Sequence, residues 1–107
     1  MLSGHVHNYQ RFSRTSRVGN KSIETPYIIA GAGGYANDQR SLHKLQKELT
    51  AQPTPIRTTR EGIILQKYQD REPGFLRITA GNEKLFFEYF VVPFSGGPAT
   101  LFDSVEV

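Results

Sequence analysis

Two histidines near the start of the chain, His5 and His7, are the residues best suited to chemistry. In an extended segment, side chains at positions i and i+2 face the same way, so both imidazoles are expected to point into one site. A neutral imidazole nitrogen is a good ligand for zinc, iron or manganese. Gly4, directly before the pair, would let the backbone turn tightly at the end of a strand. Because His-x-His pairs also occur in solvated loops, the prediction of a metal site depends on the residues around them.

Those residues form a longer motif, Gly4-His5-Val6-His7-Asn8-Tyr9-Gln10-Arg11. It resembles the closing motif of calcineurin-like metallophosphoesterases, and most of all their purple acid phosphatase branch. In that branch Gly-His-Val-His is followed by a Tyr two residues on and an Arg two beyond that. The likeness continues in the same order through the Gly-x-Gly-Gly turn 31–34 and the strand entry 73–78, and it covers residues 2–92.

The resemblance implies a fold, a chemistry and a set of site residues. The fold would be α+β and mostly β, the C-terminal portion of the two-sheet α/β sandwich of these enzymes, with one short helix. His5 would ligate one metal ion and His7 another, and the two ions (Fe, Zn or Mn, divalent or trivalent) would hydrolyse a phosphate ester. Asn8, Tyr9 and Arg11 would lie beside these ligands. Arg11 is placed equally well on the solvent-facing side of its strand.

The remaining metal-ligand motifs of the family, Asp-x-His, Gly-Asp and Gly-Asn-His, are absent from this sequence. The third histidine, His43, is expected to be an exposed helix residue. We therefore expect residues 1–107 to be a single partial domain, the C-terminal piece of a catalytic domain that lacks its N-terminal part. Such a piece would be inactive alone and would hold no metal ion stably. The phosphate-ester substrate would be a partner of the whole enzyme.

The pattern along the chain predicts strands far more than helices. A strand from Tyr9 to Arg17 is followed by a Gly-Asn turn and a return strand, which leads into an apolar strand that starts at Pro26. Leucines at helical spacing predict a helix over 38–49, capped by Asp38. Further strands are expected at 62–65, 75–79 and 85–92, the last two joined by a tight Gly81-Asn82 hairpin turn. Residues 93–107 are read as a Gly/Pro loop and a terminal strand.

Composition limits the kinds of site and partner that the chain can have. The absence of cysteine excludes disulfides and thiolate–metal sites. No apolar run is long enough to span a bilayer, so a membrane partner is not expected, and the compartment stays undecided. The first 23 residues carry four basic side chains and no acidic one. The alternative is therefore a small basic β domain that binds single-stranded nucleic acid through Tyr9, Phe12 and the arginines. Its aromatic residues are too sparse for a stacking platform, so nucleic acid is the less favoured partner.

Overall fold

The computed structural model describes residues 1–33 and 42–107 and folds them into two β-sheets with one four-residue helix. The strands of the first sheet are β1 (Leu2–Ser3), β2 (Tyr9–Val18), β3 (Lys21–Ala30), β4 (Ile56–Arg57) and β5 (Ile63–Gln69). The second sheet comprises β6 (Gly74–Ala80), β7 (Leu85–Val91) and β8 (Thr100–Glu106), and helix α1 spans Lys47–Thr50. The mostly-β class with two sheets and a short helix is the one that the sequence predicts.

The first sheet has the order β1-β3-β2-β5-β4, with β1 parallel to β3 and the other pairs antiparallel. Val18 pairs with Lys21, so the predicted Gly-Asn turn between β2 and β3 is confirmed. Pro26, expected at a strand start, lies inside β3 instead. This is tolerated because its nitrogen faces β1, which pairs with β3 only at Ile28 and Ile29.

The second sheet is antiparallel in the order β6-β7-β8. The predicted β6–β7 hairpin is confirmed, but its turn differs from the expected one. The Gly81 N–H donates to the Lys84 carbonyl (2.8 Å) across Asn82 and Glu83. Gly81 does not adopt the positive φ that a Gly-Asn turn centre needs, because the centre of the turn lies one residue further along the chain.

The predicted helix over 38–49 is confirmed only at its end, residues 47–49, and is wrong at 42–46. Positions 38–41 lie outside the described residues, positions 42–46 are not helical, and α1 begins only at Lys47. The reason is that backbone N–H groups here form tertiary hydrogen bonds. The His43 N–H donates to the His7 carbonyl (3.0 Å), and the Leu45 N–H donates to Asp70 Oδ2 (3.1 Å). Leu42 does keep its expected buried position.

The core lies between the two sheets and is centred on Tyr9. Its buried members are Tyr9, Ile28, Tyr89 and Val91. The rings of Tyr9 and Tyr89 stack with their centroids 3.9 Å apart. Burial raises the pKa of Tyr89 to about 12. This aromatic pair joins the first strand after the histidine motif to the middle strand of the second sheet.

Polar groups reinforce the same contact. The Tyr9 hydroxyl donates to Asp103 Oδ2 (2.8 Å), and Arg11 donates to both Asp103 oxygens (2.7 and 3.0 Å). The Arg11 and Asp103 side chains are only 15% and 5% exposed, so this bidentate pair is largely shielded from water. Burial, followed by the hydrogen bond to Asp103, raises the pKa of Tyr9. The hydrogen bond to Asp103 also raises the pKa of Arg11. We call Tyr9, Arg11 and Asp103 the Asp103 cluster.

A β-bulge in β8 lets two consecutive side chains, those of Phe102 and Asp103, face the core between the sheets. Tyr89 pairs with Asp103 while Phe90 pairs with Leu101, so Phe102 is the extra residue. Neighbouring side chains of a regular strand face opposite ways, whereas a bulge re-aims one of them. Phe102 accordingly meets the Tyr9 ring edge-on, at 6.2 Å between centroids, directly beside Asp103.

Large apolar side chains remain exposed on both sheets. They include Ile23, Phe75, Phe86 and Leu101, which are 41–53% exposed. In the ranges that the structure describes, no helix is long and apolar enough to cross a membrane. The faces of the sheets turned away from the common core are thus only partly covered.

Removing the buried carboxylate should strongly destabilise the chain. Asp103→Ala leaves the Arg11 guanidinium shielded and unpaired, which should cost about 3–5 kcal/mol in the free energy of unfolding. Tyr9→Phe loses one hydrogen bond to this carboxylate and should cost about 1.5–3 kcal/mol. Urea denaturation of the purified variants measures both changes. Glu106→Gln, which removes the surface partner of Lys84, is the control and should leave the midpoint nearly unchanged. Equal effects of Asp103→Ala and Glu106→Gln would contradict the role of the Asp103 cluster.

Candidate metal-ligand site

The histidine motif lies at one end of the first sheet, in the connection from β1 to β2. Strand β1 ends at Ser3, and residues 4–8 form a bent segment that leads into Tyr9. Since β1, β3 and β5 run in one direction and β2 runs in the other, Gly31 and Asp70, which follow β3 and β5, lie at the same end of the sheet. His5 is exposed and His7 is half-buried. The pair thus follows the C-terminal end of a strand, as predicted.

The backbone of the motif is bent, not extended. The Asn8 N–H donates to the Val6 carbonyl (2.8 Å), which closes a three-residue turn at His7. Alternation of side chains applies only to extended segments, so the i, i+2 spacing does not by itself set the directions of the two rings. The rings are directed instead by the contacts that this bend makes with its neighbours.

Gly31 is the residue that allows this bend. A Cβ atom at Gly31 would lie 2.1 Å from the Val6 carbonyl oxygen and 2.4 Å from that of Gly4. The Gly31 N–H also donates to the Asn8 carbonyl (3.0 Å). Gly4, by contrast, has room for a Cβ, which would lie 3.9 Å from its nearest neighbour. A tight turn was expected to need the glycine at Gly4, but the position that has no room for a side chain is Gly31, the first residue of the Gly-x-Gly-Gly turn.

The same turn reaches the second sheet. The Gly74 N–H donates to the carbonyl of Ala32, which is fully buried (3.3 Å). A Cβ at Gly74 would lie 2.4 Å from the Phe90 carbonyl oxygen and 2.5 Å from the Tyr89 hydroxyl. The three glycine-containing segments of the resemblance, at residues 4, 31 and 74, thus form one continuous series of backbone contacts beside the histidines.

His43 lies against His7. It is exposed, as expected, but it is not on a helix. Its Nδ1 accepts the His7 backbone N–H (3.0 Å), and its own N–H donates to the His7 carbonyl (3.0 Å). The two imidazole rings stack at 4.5 Å between centroids and 11° between planes. Two of the three histidines of the chain are therefore in direct contact.

The three residues expected beside the ligands have different surroundings. Asn8 is 1% exposed, and its Nδ2 donates to the His43 carbonyl (2.8 Å) while its Oδ1 accepts from Gln10 Nε2 (2.9 Å). Asn8 thus supports the motif directly. Tyr9 and Arg11 are directed to Asp103 between the sheets. They anchor the strand that follows the motif, so Arg11 is neither free on the surface nor beside the histidines.

His5 and His7 are the candidate metal ligands on this bend. Within residues 1–33 and 42–107, no group of three or more His, Cys, Asp or Glu side chains is arranged to hold a metal ion. His5 and His7 supply imidazole nitrogens, which suit zinc, iron and manganese. A binuclear centre also needs carboxylates to balance the charge of two cations. His5 and His7 are therefore compatible with part of such a ligand set, and the described residues do not complete it.

Three residues that shape the site, Asp103, Gly31 and His43, have structural roles that the sequence analysis missed. Asp103 lies in the terminal strand next to Phe102. Because aspartate is rarely buried unless it is paired, a strand aspartate next to an aromatic residue can indicate a buried ion pair. Gly31 was identified only as part of the Gly-x-Gly-Gly turn, and the segment that it contacts was not predicted. His43 gave no sequence signal for its contact with His7, which lies 36 positions away.

Comparison with known proteins leaves the family open. No protein-family model matches the sequence, and neither a curated protein nor a solved structure is significantly similar to it. The relationship to metallophosphoesterases therefore stays a proposal from the motifs.

Gly31→Ala should displace the histidine bend. Its methyl group would overlap two backbone carbonyls, so we expect a loss of about 1–3 kcal/mol in unfolding free energy and shifted backbone amide resonances at residues 4–8. Gly33→Ala is the matched control, because among the described residues a Cβ there would meet just the Gly74 carbonyl, at an ordinary 3.7 Å. Urea denaturation and amide chemical shifts measure the two effects. If Gly33→Ala perturbed residues 4–8 as much as Gly31→Ala, the close approach at Gly31 would not be what sets the bend.

Proposed function

We propose that this chain supplies the closing Gly-His-x-His ligand pair of a binuclear metallophosphoesterase that hydrolyses phosphate esters. Its fold would be the C-terminal portion of the two-sheet sandwich of these enzymes. The observation that best supports the proposal is the contact of Gly31 with the backbone of Gly4 and Val6. Two segments that the resemblance singles out independently are thereby joined at one end of a sheet, with the histidines beside them.

In this proposal the chain positions ligands and supplies no complete active site. His5 and His7 would each donate an imidazole nitrogen to one of two ions (Fe, Zn or Mn). When bound, such a pair of ions polarises a phosphate ester and provides a hydroxide nucleophile. Asn8 holds the peptide of His43 next to the motif, and the Asp103 cluster holds the strand that follows it. The N-terminal part of the catalytic domain would supply the carboxylates and the remaining ligands.

Nucleic-acid binding is less well supported. The basic hairpin of β2 and β3 does expose Arg14, Arg17 and Lys21. However, Tyr9 is only 2% exposed and stacks on Tyr89, so its ring is not offered to a base. The other aromatic residue of this alternative, Phe12, is half-buried. One such ring is too little for a stacking platform, so the hairpin offers mainly a non-specific attraction for phosphates.

The isolated chain should show no metal-dependent turnover of p-nitrophenyl phosphate with added zinc, manganese or iron, because the carboxylate donors are missing. An extended protein, encoded by the same reading frame upstream of Met1, should contain Asp-x-His and Gly-Asn-His motifs and hydrolyse the ester. In it, His7→Ala should lower kcat at least about 10-fold with little change in KM, since a lost ligand acts on the transition state.

Lys21→Ala, at the exposed hairpin turn, is the control and should leave kcat unchanged. Metal-dependent turnover by the isolated chain that disappears in His5→Ala would mean that its ligand set is complete. An upstream frame without the Asp-x-His and Gly-Asn-His motifs would contradict the proposed function.

A further inference from the structure

Residues 42–45 lie across the histidine bend and are held there by buried groups. Leu42 is 4% exposed, and the His43 carbonyl accepts a hydrogen bond from buried Asn8 (2.8 Å). On the far side, Asp70 accepts from the Leu45 N–H through Oδ2 (3.1 Å) and from the Lys44 ammonium through its backbone carbonyl. The backbone on both sides of His43 is thus fixed, although the His43 side chain itself is exposed.

The contacts between His43 and His7 are reciprocal. Each residue donates its backbone N–H to the other, one to a ring nitrogen and one to a carbonyl, both at 3.0 Å. Because Nδ1 of His43 accepts a hydrogen bond, the neutral ring carries its proton on Nε2. The near-parallel rings, 11° apart in plane, restrict the rotation of the His7 imidazole. One exposed side chain therefore fixes both the backbone and the ring plane of His7.

We infer that His43 is a positioning residue for His7, which orients the imidazole before a metal ion binds. A ligand ring that is already held loses less conformational freedom on binding. Groups that orient metal-ligating histidines from outside the ligand set typically contribute 10- to 100-fold to metal affinity. The contact between the two histidines stands on the structure alone, whereas its effect on metal binding rests on the proposed function.

The experiment uses the 107-residue chain, Zn²⁺ as the only added ligand, and NMR of the histidine rings and backbone amides, which also measures the weak binding expected of an incomplete ligand pair. Three variants separate the ring stacking from the hydrogen bond to Nδ1. His43→Phe keeps a stacking ring without the acceptor, His43→Asn keeps an acceptor near the position of Nδ1 without the ring, and His43→Ala keeps neither. Glu48→Ala, an exposed residue of α1, is the control.

In the unaltered chain we expect ring-current-shifted His7 protons and a His43 ring protonated at Nε2. His43→Ala should remove the His7 ring shift, move the His7 amide resonance, and raise the Kd for Zn²⁺ about 10-fold. His43→Phe should retain the ring shift of His7, and His43→Asn should retain the position of the His7 amide resonance. Each variant should keep part of the affinity for Zn²⁺. Amide spectra that match outside the motif show that the variants fold alike.

Unchanged His7 resonances in His43→Ala would overturn the contact, and with it the inference. If those resonances moved while the Kd for Zn²⁺ stayed the same, the positioning role in metal binding would be overturned. Zn²⁺ binding unaffected by His7→Ala would instead contradict the proposed function. The ring shift measured without metal would still report on the contact with His43, so the two failures are distinguishable.

Discussion

The buried carboxylate of Asp103 holds the two sheets together, and the frame of the histidine motif depends on it. A shielded carboxylate requires partners, and both of its partners, Tyr9 and Arg11, come from the strand that begins directly after the motif. The Tyr9 ring adds a stacked contact with Tyr89 at the same point. The end of the histidine bend is therefore fixed to the middle of the second sheet, although the bend itself belongs to the first.

The other sides of the bend are fixed by backbone contacts. Gly31 lies in close contact with the Gly4 and Val6 carbonyls, and the segment around His43 packs against His7. These contacts place two imidazoles on a bend whose backbone is constrained from three directions. Such a frame suits ligand residues, because small displacements of a ligand weaken metal binding. The chemistry itself would depend on groups from elsewhere, since the described residues offer no third donor to complete a metal-binding group.

The sequence predicted most strands, because apolar runs, turn residues and strand composition are local signals. It failed at 42–46, where leucines at helical spacing satisfy the pattern but the backbone hydrogen-bonds to His7 and Asp70 instead. Tertiary hydrogen bonds outweighed helix propensity there. For the candidate site, the sequence supplied the ligand types and missed what holds them. Tyr9 and Asp103 are 94 positions apart, and His7 and His43 are 36 apart, so no local pattern connects them.

The central claim is that His5 and His7 are metal ligands held on a preformed bend. The most direct measurement is an anomalous difference map at the zinc edge from crystals of the protein soaked in concentrated zinc chloride, so that an incomplete ligand pair is also occupied. The account predicts peaks about 2.0–2.1 Å from a ring nitrogen of His5 and of His7, with residues 4–8 in the bend that Gly31 and His43 define. Zinc peaks at other side chains with none at His5 or His7, or binding only after the bend has rearranged, would contradict it.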